Sequence, residues 1–155
     1  RRQCERLRPM VEALAPDAVV TSDLVRARET ALLLTQTPAT PDARWRELDL
    51  GAWTGRRAVD LEPGVLEAWR RGRGTPPEGE TWEAAQARLL DAVLDLGASG
   101  ARRPLVVTHG GAIRATCELL GGPDLAHLVG VPNASLTIFD TGPHPHLRAY
   151  GVAPP

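Results

Sequence analysis

The sequence predicts an α/β fold, a three-layer α/β/α sandwich with a mainly parallel central sheet. Two observations carry this. Short apolar runs, Ala18-Val19-Val20 and Leu105-Val106-Val107, alternate with longer segments whose apolar residues recur at helical spacing. Each run leads within a few residues into such a segment, the strand-then-helix order of parallel units, whose functional sites lie at the carboxyl ends of the strands. With 43% apolar residues in 155, there is material for one core, and residues 1–155 are read as a single domain.

Arg2 to Leu14 places Cys4, Leu7, Val11 and Leu14 on one helical face, and Pro16-Asp17 closes that helix before a strand at Ala18–Thr21. A helix over Val25–Leu34 follows. Thr35 to Pro41 reads as a loop and Trp45 to Gly51 as an extended surface stretch. Arg56 to Arg71 carries Val59, Leu61, Val65, Leu66 and Trp69 at helical spacing, interrupted at Pro63-Gly64, and Gly72 to Gly79 reads as loop. Thr81 is placed to N-cap a helix with Trp82, Ala85, Leu89, Val93 and Leu96 on its inner face. A solvated linker holding Arg102 and Arg103 precedes the Leu105 strand. The next helix is expected to turn Ile113, Cys117 and Leu120 inward until Gly121-Gly122-Pro123 stops it. Strands near Ser135–Asp140 and Leu147–Val152 close the chain.

Charge and composition exclude several classes of partner. With 18 basic and 19 acidic residues and no basic run, nothing draws the chain to nucleic acid or to an anionic membrane surface. No apolar run approaches the roughly 18 residues of a spanning helix, and a cytoplasmic protein is expected. Cys4 and Cys117 lie on apolar helix faces without metal-type spacing and read as buried free thiols. His144-Pro145-His146 is not read as a metal pair, because the proline forces an exposed turn and no third ligand is apparent; His127 reads as a surface residue.

The chemistry concentrates at two strand ends. In Thr108-His109-Gly110-Gly111 a histidine stands where a strand ends and a helix opens, so an anion there would meet both imidazole and the outward-pointing N–H groups of the helix start. In Thr21-Ser22-Asp23-Leu24-Val25-Arg26-Ala27-Arg28, Arg26 offers a planar fork to the same anion; its alternative is a surface pairing with Asp23 or Glu29.

Three ordered segments resemble the histidine phosphatase superfamily, also called phosphoglycerate mutase-like: Ser22-Asp23-Leu24-x-Arg26-Ala27-x-x-Thr30-Ala31, then Arg46-Glu47-Leu48-Asp49-Leu50-Gly51-x-Trp53-x-Gly55, then Thr108-His109-Gly110-Gly111-x-Ile113-Arg114. Gly79-Glu80-Thr81 opening a helix with Arg88, and Pro132-Asn133-Ala134-Ser135 before a late strand, extend the resemblance over nearly the whole chain. It implies a phosphoglycerate mutase-like sandwich and phosphoryl transfer through a phosphohistidine, with no metal or other cofactor. Arg26, His109 and Gly110 would bind the phosphoryl group, and Glu47 would act as general acid and base, with nearby Asp49 and Glu80 as alternatives. Ser22, Arg28 and Asn133 would support the site. Family members begin with a strand ending in Arg-His-Gly that carries the nucleophile, whereas Arg1-Arg2-Gln3-Cys4 resembles the helix after it. The nucleophile is therefore expected upstream of Arg1; a homodimer supplying that strand is an alternative, and a chain lacking it would be a catalytically dead phosphate-binding homologue. Region 56–80 falls where the family places cap elements. Its shortness favours a phosphomonoester hydrolase acting on a small phosphorylated metabolite over mutase-type transfer, which must shield its phosphoenzyme from water. Arg70, Arg71 and Arg73 could meet a second anionic group there, or could be a solvated basic face.

Overall fold

The structure, a computed structural model, describes residues 1–71, 73–122, 128, 130–142 and 144–155, the side chain of Ala58 excepted. His127 and the Pro123 helix stop lie outside the described residues. The elements run α1 (Arg2–Leu14), β1 (Ala18–Thr21), α2 (Val25–Leu34), β2 (Thr40–Pro41), α3 (Val65–Arg70), α4 (Trp82–Ala98), β3 (Pro104–Val107), α5 (Gly110–Gly121), β4 (Leu136–Asp140) and β5 (His146–Val152).

Strands β2, β1 and β3 form a parallel sheet in that order. Val20 and Thr21 lie opposite Thr40 and Pro41 on one side, and Ala18 to Thr21 lie opposite Pro104 to Val107 on the other. β2 falls within the stretch read as loop. Its two residues carry no alternation to detect, and Pro41, which cannot donate to a ladder, is tolerated at the sheet edge. β4 and β5 pair antiparallel as a separate two-stranded sheet.

Alternation along the strands splits the core in two. Val20 and Val106 face a cluster of Trp45, Leu48, Trp82, Ala85, Leu89, Ala92, Ala112 and Ala115 beneath α4 and α5. Leu105 and Val107 face a cluster of Cys4, Leu7, Val11, Ala27, Ala31 and Leu34 from α1 and α2, against which Leu136 of β4 also packs. These are the two helical layers of the expected sandwich. Asp17 fixes the start of β3: its carboxylate accepts the Arg102 and Arg103 N–H groups at 2.8 and 2.9 Å, and those bonds hold its carboxyl below the usual range.

Some expectations change. Leu14 is exposed, because Ala15 enters the left-handed region at φ 46° and the chain turns away before another helical turn forms. Trp45 and Leu48 are buried, so the stretch read as surface is partly core. The inner face of α5 is Ala112, Arg114, Ala115 and Cys117, with Ile113 and Leu120 only half-buried. Small alanines there let α5 approach α4 closely. Arg56 to Arg71 is indeed broken, into a short 3-10 turn at Ala58–Asp60 and the six-residue α3, whose N-cap Gly64 takes φ 84°. Cys4 and Cys117 are buried free thiols, and burial pushes the Cys117 thiol up to about 11.

Candidate active site

The register of β1 against β3 assembles the site. Thr21 lies opposite Val107, and the Ser22 N–H donates to the Val107 carbonyl at 2.9 Å, which puts the residue after β1 beside the residues after β3. His109 is the extended N-cap of α5, a residue only 9% exposed. Arg26, in the first turn of α2, donates from Nε to His109 Nδ1 at 3.2 Å, and His109 Nε2 lies 2.9 Å from Ser22 Oγ. A guanidinium has no acceptor, so Nδ1 must accept; the ring proton then sits on Nε2 and is donated to Ser22. His109 is thus held neutral. Burial pushes its pKa below the ordinary value, Glu47 acts against that through space, and the Arg26 cation adds to it.

Arg26 does not take its surface alternative with Asp23. Arg46 holds both Asp23 oxygens, at 2.7 and 2.5 Å, and keeps the Asp23 carboxyl below the usual range. Arg28 and Asn133 are exposed, and among the described residues neither forms a hydrogen bond or ion pair with the site, although the Arg28 charge acts through space on Asp23.

Glu47 takes a position that revises the expected anion site. Its Oε1 accepts from the Leu48 N–H at 3.0 Å and the Ala112 N–H at 3.2 Å, while Oε2 accepts from the Gly111 N–H at 3.3 Å. The carboxylate therefore caps α5, whose positive end suits it, and two helix-start donors expected for an incoming anion are occupied. The Gly110 N–H is not among those Glu47 takes. A Cβ on Gly111 would collide with Glu47 Oε1, so the second glycine of the pair exists for this close approach. Asp49, one alternative to Glu47, instead accepts the Gly51 N–H at 2.8 Å within its own turn.

The Glu47 backbone is held as firmly as its side chain. Arg88 of α4 donates from Nη1 to the Arg44 and Arg46 carbonyls at 2.6 and 3.1 Å and from Nη2 to the Glu47 carbonyl at 3.4 Å. Thr108 Oγ1 donates to the intervening Trp45 carbonyl at 2.6 Å. Glu80, the other carboxylate alternative, holds Arg88 through both oxygens at 2.6 and 2.7 Å. Four consecutive carbonyls are thus tied down on both sides of the loop. Arg88 and Thr108 were not singled out for this role from sequence, because their acceptors are backbone atoms; the Gly110-Gly111 pair was the one trace of the Glu47 contact.

Trp53 meets Trp69 of α3 edge-on, with centroids 6.4 Å apart and planes at 84°. Arg71 is paired with Glu67 at 3.0 Å, and Arg70 and Arg73 are exposed. His144 and His146 are exposed, with His146 Nδ1 3.1 Å from the His144 carbonyl.

Fold and site together define an α/β protein whose imidazole, guanidinium and carboxylate groups converge where two adjacent parallel strands end. Residues 1–149 match the histidine phosphatase superfamily, branch 1, and the chain belongs to that family. It is 39% identical over 138 residues to a glucosyl-3-phosphoglycerate phosphatase of Mycolicibacterium vanbaalenii, an alignment covering 77% of this chain and 61% of that protein. It is 34% identical over 162 residues to a probable phosphoglycerate mutase of Cronobacter sakazakii, covering 96% of this chain and 74% of the other. The structure of a mycobacterial glucosyl-3-phosphoglycerate phosphatase with inorganic phosphate superimposes with a TM-score of 0.88 at 28% identity, over 98% of this chain and 84% of that one.

Proposed function

We propose that the protein is a phosphomonoester hydrolase that works through a phosphohistidine, with a small phosphorylated metabolite as substrate. The observation that carries this reading is the convergence of Arg26, His109 and Glu47 at the C-terminal ends of β1 and β3. The relatives named for phosphatase activity on a phosphoglycerate derivative support it.

The nucleophilic histidine is expected on a strand upstream of Arg1. Among the described residues β3 is hydrogen-bonded along its β1 side alone, while Leu136 of β4 packs into the same cluster as Leu105 and Val107. A parallel strand between β3 and β4 would satisfy β3's second edge and end beside His109. Its imidazole nitrogen attacks phosphorus as the P–O bond to the alcohol breaks, and Glu47 relays a proton brought by the arriving phosphomonoester monoanion to the departing oxygen. Water then yields a proton to Glu47 and attacks the phosphohistidine; the P–N bond breaks and phosphate leaves. Arg26, His109 and the Gly110 N–H offset the charge on the transferring oxygens, and no step calls for a metal. His109 enters neutral, so the bound phosphoryl charge favours its protonation, and His109 becomes a second cation opposite Arg26. Region 56–80 serves as a short cap, too small to shield a long-lived phosphoenzyme, which favours water over a second alcohol as acceptor. The two buried free thiols suit a reducing cytoplasm.

The test is hydrolysis of p-nitrophenyl phosphate in chelator by protein carrying its upstream residues, with intact mass after a substrate pulse. Turnover and a transient gain of one phosphoryl group are expected; Arg26→Ala should lose both, whereas Glu47→Gln, lacking the base that activates water, should lose turnover and retain the phosphoryl group. Phosphate binding with neither turnover nor phosphorylation would make the protein a phosphate-binding homologue instead.

A further inference from the structure

Helix α2 leaves one face uncovered. Ala27, Ala31 and Leu34 turn inward to the cluster shared with α1, whereas Val25, Arg28, Glu29 and Leu32 recur at the three- and four-residue spacing of a second, outward face. Val25 and Leu32 are 67% and 78% exposed, the most exposed large apolar side chains of the described α-helices. They stand about 10 Å apart along the helix, with a cation and an anion between them, which is not the single scattered apolar residue of an ordinary surface. Among the described residues neither charge has an ion-pair partner, and Arg28 acts only through space on Asp23, whose carboxylate Arg46 already holds. Arg26 turns to His109 from another side of α2, so this face takes no part in that contact.

The order apolar, cation, anion, apolar is its own complement when reversed. Its midpoint lies between Arg28 and Glu29, so a second α2 laid antiparallel on the first, with a two-fold axis through that midpoint, sets Val25 against Leu32 of the other copy and Arg28 against its Glu29, twice over. Two apolar pairs then leave water while two opposite-charge pairs form between them, whereas a parallel pairing would set like charge on like. We propose that this face of α2 is the interface of a homodimer, in which two copies pair through Val25, Arg28, Glu29 and Leu32. The charge order selects a second copy, because a copy carries the reversed pattern by construction. No strand is exchanged in this pairing, and it stands independently of the phosphomonoester reading. With one helix as its centre the interface falls at the small end of the range, for which a dissociation constant of about 1–100 μM is expected.

Association is measured by sedimentation equilibrium on protein carrying its upstream residues, native and as Arg28→Glu, Glu29→Arg, the double variant and Leu32→Asn. The native protein should pass from one protomer to two as its concentration rises through that range. Arg28→Glu and Glu29→Arg each set like charges opposite one another and should weaken association about 10- to 100-fold, and the double variant, which restores opposite charges in exchanged order, should recover it. A mixture of the two single variants should associate as a heterodimer where neither associates alone, an outcome that misfolding of either cannot imitate. Leu32→Asn should weaken association by about 10-fold or more. A native protein that stays monomeric throughout overturns the proposal, whether residues upstream of Arg1 then cover the face or leave it bare. So does a dimer indifferent to Leu32→Asn, which would pair through another face. A double variant and a mixture that remain as weak as the single variants overturn it too, since the charges would then have no part in the pairing.

Discussion

Gly111→Ala separates the Glu47 cap from every alternative by the sign of its effect. Gly111 sits in the first turn of α5 with no positive φ, so alanine there should ordinarily stabilise the helix by about 0.5–1 kcal/mol. The added Cβ, however, falls on Glu47 Oε1 and 3.2 Å from Leu48 Cδ1. The carboxylate must leave the Gly111 and Ala112 N–H groups, which it accepts at 3.3 and 3.2 Å. Charge-assisted bonds contribute about 1.5–3 kcal/mol, and at these lengths the lower figure applies to each, a loss of about 3 kcal/mol. Subtracting the helix gain leaves a net destabilisation of about 2 kcal/mol, or about 4–8 °C in Tm for a chain of this size. Scanning calorimetry on the variant and on Glu47→Gln reads it. A rise in Tm for Gly111→Ala would mean that Glu47 does not occupy the helix start, and the account of the site would fail with it.

Arg88→Met should destabilise by about 3 kcal/mol in denaturant unfolding, since it strands the Glu80 carboxylate, whose side chain is only 17% exposed, and frees three carbonyls; adding Glu80→Gln should recover part of the loss, and strict additivity would deny the coupling. Because burial lowers the His109 pKa in the folded state, the unfolded chain binds a proton that the folded chain resists; stability should be full above about 6.5 and decline as pH falls from there toward the lower folded value. His109→Asn should remove that limb and leave the loss below about 3.8, where Asp23 and Asp42, held low by Arg46 and Arg44, take up protons; an unchanged profile would assign the upper limb to another group. Arg26→Ala should weaken sulfate binding about 10- to 100-fold by calorimetry, and native binding should tighten as pH falls through the His109 titration; pH-independent affinity would place the anion elsewhere.

What the sequence made legible was what local periodicity and turn chemistry encode. The bounds of α1, β1 and α2 follow from apolar spacing and breakers, and the strand-end placement of Arg26 and His109 follows from Val19-Val20 and Val106-Val107. The Thr81 cap is likewise local: its Oγ1 accepts the Ala84 N–H at 3.0 Å. What stayed hidden depends on residues distant in the chain. Glu47 reaches a helix start more than sixty residues away, and Arg88 and Thr108 fasten the Glu47 loop through carbonyls that every residue possesses. The burial of Arg114 contradicts the usual fate of arginine, and no periodicity distinguishes it from a charged residue facing water. The two-residue β2 is visible only as a partner of β1.

The site is internally compensated at rest. Arg26 spends its Nε on the His109 lone pair, and Glu47 fills two of the amides at the α5 start, so the groups suited to binding an anion hold one another. An anion cannot simply dock on His109, because Nδ1 is an acceptor in the neutral tautomer and would repel it; either Nδ1 gains a proton or Arg26 turns its fork toward the ligand. Glu47 has no comparable freedom of backbone, since Arg88 and Thr108 fix its loop, but its carboxylate rests on helix N–H groups that water or a ligand oxygen can replace. The rigid part of the site is therefore the frame that carries Glu47, and the adjustable part is the proton on His109. This division suits a residue that must exchange protons at one fixed place while the charge opposite it changes as phosphate arrives and leaves.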